Sequence, residues 1–206
     1  MIDISEIFYS VQGETSLAGR PAVFVRTAGC NLNCRWCDTV YSKEKKYDKA
    51  VDEIIDEVSA FGCPVVVLTG GEPLIQEESR ELMEKLAGKG FYVVLETNGS
   101  VDIDKVPGEV KIILDVKTPS SGETGSIYSP NMKKLGKKDE LKFVISDRED
   151  FDWSCGVLRE YPSPAGEILF SPVKGKISFN QLADWVMDDA PGGRVQANLH
   201  KVFSMR

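Results

Sequence analysis

The sequence predicts an α/β fold, an incomplete parallel β/α barrel of about six strands with fewer crossover helices than a full barrel carries. Three observations predict it. Short β-rich runs recur along the chain, apolar residues at helical spacing separate several of them, and 206 residues fall short of the ~250 that a complete eight-strand barrel takes.

The runs lie at 22–27, 65–68, 92–96, 111–116, 141–145 and 167–170, with a weaker seventh at 195–199. Most are about four to six residues long, the length of an ordinary strand. Between the first two runs, Ala50, Val51, Ile54, Ile55, Val58 and Phe61 recur at helical spacing; Leu82, Met83 and Leu86 do so before the third, and Leu182 and Val186 near the end. Strand, helix, strand in repetition means crossover connections and a mostly parallel sheet. The links at 100–109 and 116–140 are rich in Gly, Pro, Ser and Asp, carry no apolar period and read as loops. An open flavodoxin-like sheet is the alternative arrangement. In both, ligands gather at the carboxyl ends of the strands. No repeat, low-complexity tract or long linker interrupts the chain, so residues 1–206 read as one domain.

Composition narrows the function classes. No apolar run approaches the ~20 residues of a membrane span, and the first residues carry neither a basic n-region nor an apolar h-region. A cytoplasmic location and no membrane partner are the expectation. With 25 Lys+Arg against 32 Asp+Glu the net charge is −7, which disfavours a sequence-blind nucleic-acid binder. An anionic ligand must therefore meet local positive charge.

Of five cysteines, Cys30, Cys34 and Cys37 fall together in Gly29-Cys-Asn-Leu-Asn-Cys-Arg-Trp-Cys-Asp-Thr39, just past the first strand. In a reducing compartment such clustering points to metal more than to disulfides. Thiolates hold iron-sulfur clusters, and three ligands on a four-iron cubane leave one iron open for chemistry. The alternative is a zinc knuckle, for which only Cys63, Cys155 and His200 remain as a fourth ligand. A second motif, Leu68-Thr-Gly-Gly-Glu-Pro73, ends the next strand. Its glycines let backbone approach a ligand, and Glu72 adds an acceptor suited to an ammonium group. Alone it is a plain strand-to-helix turn. Cys63 and Cys155, far from the triplet, read as small buried apolar side chains.

Together the two motifs resemble those of the radical S-adenosylmethionine enzymes. The resemblance implies a 4Fe-4S cluster on Cys30, Cys34 and Cys37 whose open iron chelates the methionine part of S-adenosylmethionine, with the Gly70–Pro73 backbone, Gly71 included, and Glu72 helping to hold its amino group. An electron from the cluster then cleaves the sulfonium C–S bond to a 5′-deoxyadenosyl radical. A narrower resemblance is to the 7-carboxy-7-deazaguanine synthase family. It rests on Glu6-Ile-Phe-Tyr-Ser-Val-Gln-Gly-Glu14, Arg26, the Asp38-Thr39 pair, Leu95-Glu-Thr-Asn-Gly99, Asp115-Val-Lys-Thr-Pro119 and Gln196-Ala-Asn-Leu-His-Lys201. Asp38-Thr39 is the most selective, because glycyl-radical activases, one competing reading beside a non-catalytic iron-sulfur or zinc module, share the triplet and the Gly-Gly-Glu-Pro turn but usually lack that pair.

The implied reaction contracts the ring of 6-carboxy-5,6,7,8-tetrahydropterin to 7-carboxy-7-deazaguanine with loss of ammonia, on the route to the deazapurine nucleosides of transfer RNA (queuosine or archaeosine). In it, S-adenosylmethionine is not consumed. The resemblance further implies that Val11, Gln12, Gly13, Glu14, Arg26, Thr69 and His200 contact the substrate. Trp36, Asp38, Lys117, Thr118 and Pro119 would line the S-adenosylmethionine side, and Thr39 would complete a Mg²⁺ site. A homodimer and a flavodoxin- or ferredoxin-type electron donor are implied as partners. Plainer roles stand beside these: Arg26 paired with a structural carboxylate, Thr39 capping a turn, Trp36 as packing, and His200 as a hydrogen-bonded residue on the polar face of a strand. Two departures from the family pattern are visible, Thr15 where a glycine is usual and the ending after Lys201.

Overall fold

The structure, a computed structural model, describes residues 1–190 and 192–203. Its sheet contains β1 (Ile2–Val11), β2 (Pro21–Thr27), β3 (Tyr47–Lys49), β4 (Val65–Gly70), β5 (Tyr92–Thr97), β6 (Lys111–Val116), β7 (Glu140–Ile145), β8 (Glu167–Pro172) and β9 (Arg194–Val195), in the order β3-β1-β2-β4-β5-β6-β7-β8-β9. From β2 through β9 the neighbours pair in parallel, whereas β1 runs antiparallel to both β2 and β3. The end strands β3 and β9 do not pair with each other, so the barrel is open, as the short chain predicts.

Helices α1 (Val51–Ala60), α2 (Glu78–Gly88), α4 (Arg148–Glu160) and α5 (Phe179–Asp189) make the crossovers; α3 (Asn131–Lys134) is a single turn and α6 (Leu199–Phe203) closes the described chain. The Gly- and Pro-rich links between β5, β6 and β7 carry no crossover helix of full length, as expected. Parallel strands covered on both faces need apolar residues at nearly every position. The run Val65, Val66, Val67, Leu68 is accordingly buried throughout. Helix α1 buries Val51, Ile54, Ile55 and Val58 against the sheet, and its first turn is fixed where Glu53 accepts the Ala50 N–H at 2.7 Å. Around β7 and β8, Phe143, Phe151 and Phe170 are fully buried, with ring centroids 5.6 and 5.3 Å apart and Trp185 beyond them.

One strand feature corrects the sequence reading and another adds to it. The weak run at 195–199 is not a strand: β9 stops at Val195, and Leu199 already opens α6. At the other end, β1 carries a register shift between Ile4 and Glu6; Ile4 lies opposite Thr27 and Glu6 opposite Arg26, leaving Ser5 as the extra residue of a bulge. Among the described residues no helix is long and apolar enough to cross a membrane.

Candidate active site

The carboxyl ends of the parallel strands and the cavity-facing side of β1 enclose one cavity of about 470 Å³. The strand period of two explains its first wall: Glu6 and Phe8 project from β1, with Gln12 just past its end and Phe24 and Arg26 beside them from β2, and the Phe8 and Phe24 rings stack at 5.0 Å. A second wall is the loop that leaves β2, bearing Cys30, Cys34, Trp36, Cys37, Asp38 and Thr39.

That loop is fastened at many points. Gly29 donates to Ser42 O at 3.0 Å, Glu72 N to Gly29 O at 2.9 Å, and Arg35 N to Ser121 O at 3.0 Å. All three thiols are half-buried, unbonded to one another, and on the cavity. Burial pushes the Cys34 thiol up, against the lowering pull of the Lys117 ammonium. No three His, Cys, Asp or Glu side chains among the described residues converge as ligands of one metal ion. A closed tetrahedral zinc site needs that convergence; a cluster takes its three thiolates on three separate irons. Cys63 donates to Pro21 O at the far end of β2 and Cys155 is buried on α4, so neither offers a fourth ligand; His200 shares the cavity but stands beside Glu14 and Asp38, at 3.9 and 4.0 Å, and no ligand group of three among the described residues includes it. The thiol set therefore fits a cluster with one open corner.

The Gly-Gly-Glu-Pro turn works differently from its sequence reading. A Cβ on Gly71 would stand 1.9 Å from Gly29 O and 2.7 Å from Cys30 Cβ, and one on Gly70 would stand 2.3 Å from Thr27 O. The glycines let the end of β4 close on the cysteine loop as well as line the cavity. Glu72 is fully buried and does not line the cavity; its carboxylate accepts from Leu74 N at 3.0 Å, Thr97 Oγ1 at 2.8 Å and Asn98 N at 2.7 Å. Burial raises its pKa against those bonds. As placed, the Glu72 carboxylate braces the ends of β4 and β5. Thr118 and Pro119 also stand off the cavity, because the Thr118 hydroxyl donates to Val144 O at 2.9 Å and Pro119 starts a turn; Lys117 alone of that trio lines it.

Val11, Gln12, Gly13, Glu14, Arg26, Thr69 and His200 all line the cavity. Arg26 has the carboxylate partner its plainer reading supposes, Glu6 at 2.9 Å, yet still faces the cavity. Thr39 precedes a short 3-10 turn without capping it through its side chain; its hydroxyl has Cys37 Sγ at 3.7 Å. His200 sits on α6, not on a strand, with Nε2 3.9 Å from Glu14 and 4.0 Å from Asp38. Lys201 pairs with Asp38 at 2.6 Å and outweighs burial, holding that carboxyl below its usual range. Thr15, at the departure from the family glycine, keeps the left-handed backbone a glycine favours (φ 68°) and is buried, its N–H held by Gln196. The chain's ending at 204–206 lies outside the described residues.

Sequence reasoning gave no individual role to Glu96, Asp115 and Lys142, which join Glu14 and Lys117 in a set of charges on this cavity. Lys142 is ion-paired with Glu14 and, at 3.3 Å, with Asp115, which also holds Lys117 at 3.1 Å. Burial pulls the Lys142 ammonium down, but Glu14, Asp115 and Glu96 prevail and its pKa stands well above the usual value. Glu96 accepts from Thr69 Oγ1 at 2.9 Å and Gln12 Nε2 at 3.0 Å; burial, then the Glu14 charge, push its pKa up. The available signal was a lone charge inside an otherwise apolar strand, as in Leu141-Lys142-Phe143.

The family model of the radical SAM superfamily matches residues 24–120. A 7-carboxy-7-deazaguanine synthase of Chlorobaculum tepidum is 39% identical over 97% of this chain and 93% of its own length. That of Koribacter versatilis is 38% identical over 97% and 96%. The chain belongs to the 7-carboxy-7-deazaguanine synthase family. As a member it is a radical S-adenosylmethionine enzyme, a lyase with an iron-sulfur cluster, and the activase reading falls away. The synthase family extends to Methanospirillum hungatei, at 37% identity over 98% of this chain. In fold, the chain resembles QueE from Escherichia coli, with a TM-score of 0.79, 21% identity and coverage of 94% and 92% of the two chains. Streptococcus suis SuiB follows at 0.62 and 14%, over 85% of this chain and 48% of that one.

Proposed function

We propose that the cavity holds S-adenosylmethionine against the cysteine wall and 6-carboxy-5,6,7,8-tetrahydropterin against the β1–β2 wall, and converts the pterin to 7-carboxy-7-deazaguanine with loss of ammonia. The observation that carries this reading is that Arg26 and the carboxylates of Glu14 and Glu96 line the same cavity as the cysteine triplet. A flat ring with one carboxylate and an N–H-rich edge needs that division, a cation for the carboxylate and acceptors for the ring.

Cys30, Cys34 and Cys37 would hold a 4Fe-4S cluster, which would supply the electron that cleaves the sulfonium C–S bond of S-adenosylmethionine into methionine and a 5′-deoxyadenosyl radical able to take hydrogen from C6 of the pterin. The chain's own groups orient and seal. The Gly70–Gly71 backbone, Trp36, Asp38 and Lys117 border the S-adenosylmethionine side. Gln12, Glu14, Thr69 and His200 border the ring; Glu96 accepts from Gln12 and Thr69, Gln12 accepts the Glu14 N–H, and Glu14 pairs with Lys142, a chain of contacts that holds these acceptors in place before substrate arrives. The Thr39 hydroxyl, not spent on capping, is available to a Mg²⁺ that takes its other ligands from substrate and water. The proposal extends to one domain, a homodimer, a flavodoxin- or ferredoxin-type electron donor, no membrane or nucleic-acid partner and a cytoplasmic setting whose reducing conditions suit three free thiols.

Reconstituted, reduced protein incubated with S-adenosylmethionine, Mg²⁺ and the carboxypterin is expected to yield the deazapurine acid by mass spectrometry. Its absence, with the cluster intact, refutes the reading.

A further inference from the structure

The bulge in β1 has a specific product. Had β1 continued in register from the Ile4–Thr27 pair, Ser5 would face Arg26 and Glu6 would face Val25. The inserted residue shifts Glu6 opposite Arg26 instead, at the cost of a buried Ser5 hydroxyl without a hydrogen-bond partner. We infer that Glu6, held by Tyr41, is a positioning residue that fixes Arg26 so that its two terminal nitrogens meet the carboxylate of the bound ligand.

Arg26 is 13% exposed and reaches Glu6 only through Nε, at 2.9 Å. Neither terminal nitrogen has a hydrogen-bond partner among the described residues. A guanidinium carries five N–H donors in a planar fork, so occupying Nε leaves the end-on pair for a second carboxylate. The plane is held as well. The guanidinium carbon lies 5.8 Å from the Phe8 ring centre and 5.9 Å from that of Tyr41. The Tyr41 hydroxyl also donates to Glu6 Oε1 at 2.9 Å, the same oxygen that accepts from Arg26. That bond draws off part of the negative charge of Glu6, so Arg26 retains attraction for an incoming anion. Tyr41 lies on the turn just after Cys37 and Thr39, so the orientation of Arg26 is tied to the cysteine loop.

This inference rests on the proposed pterin site, and its test separates the two. Affinities of cluster-loaded, unreduced protein are measured for the 6-carboxytetrahydropterin and for the same tetrahydropterin lacking the carboxylate. The natural chain is expected to prefer the carboxylated ligand. Glu6→Gln is expected to shrink that preference about tenfold and Tyr41→Phe about threefold, with affinity for the carboxylate-free ligand nearly unchanged. A scaffold role would lower both affinities together, and that result, or a preference left intact or increased, overturns the inference. If Glu6→Gln fails to fold, Tyr41→Phe, an exposed ring losing one oxygen, decides alone. A natural chain that binds neither pterin overturns the site and this inference with it, whereas a selective natural chain with indifferent variants overturns only the inference.

Discussion

Gly13 and His200 are in direct contact: a Cβ on Gly13 would stand 2.6 Å from the His200 Nδ1 and 3.1 Å from its backbone nitrogen, while Gly13 O accepts the Leu199 N–H at 2.8 Å. The bare backbone of the β1–β2 turn is thus the seat of α6. Gly13→Ala forces α6 away, since overpacking costs about 1–3 kcal/mol and a helix of one turn has little else to hold it. The KM for the pterin is expected to rise about tenfold, while bound iron stays constant. Steady-state kinetics with iron analysis check this; an unchanged KM would show that α6 contributes no substrate contact.

Gly71 makes the corresponding contact on the other wall. Its hypothetical Cβ would meet backbone, Gly29 O at 1.9 Å, which cannot yield as a flexible side chain does. Gly71→Ala is expected to push the cysteine loop outward and lose most of the reconstituted iron. Gly88→Ala is the control, with nothing within 4 Å of the added methyl. It should keep its iron and gain roughly 0.4–1 kcal/mol of stability in a urea titration.

The parallel strands were legible because strands covered on both faces are apolar at nearly every position. Strand β1 was not, for a physical reason: the bulge at Ser5 breaks the alternation that buries Ile2 and Ile4, and the residues beyond it face a cavity instead of a core. Helix α4 escaped because Ser154 and Cys155 share its buried face with Phe151 and dilute the apolar period. The segment 195–199 alternates like a strand, but the Gln196 side chain is taken by Thr15 N and Ser171 Oγ, and Leu199 N by Gly13 O. Side-chain and loop contacts override a weak local pattern there. At the site, the motifs pointed to residues that line the cavity, Glu72, Thr118 and Pro119 excepted; Glu72 had an acceptor's chemistry, but only the fold shows where it is spent.

The cysteines divide by location. Cys34→Ala removes a thiol on the cavity wall and is expected to abolish both the brown colour of the reconstituted protein and turnover. Cys63→Ala removes a buried sulfur whose hydrogen bonds go to Pro21 O and Val65 O, so colour should persist with stability lower by about 1 kcal/mol. Absorbance and iron content read both. A colourless Cys63 variant would overturn the ligand assignment.

Asp147 gives a pH-dependent prediction at a distance from the site. Its carboxylate caps α4 by accepting the Asp150 N–H at 2.9 Å, and that backbone bond, with further bonds from Ser120 and Ser146, holds its pKa below the ordinary 3.8. A carboxylate whose folded pKa is depressed stabilises the fold above its unfolded value and stops doing so as pH falls through the folded one. Asp147→Ala is therefore expected to cost about 1 kcal/mol at neutral pH and Asp147→Asn a few tenths. Urea titrations of the cluster-free protein at pH 7 and below 3.8 should show the gap between the natural chain and Asp147→Asn closing at the lower pH. The neutral amide caps equally at both, so a gap that stayed constant would mean that the ionised carboxylate contributes nothing beyond its shape.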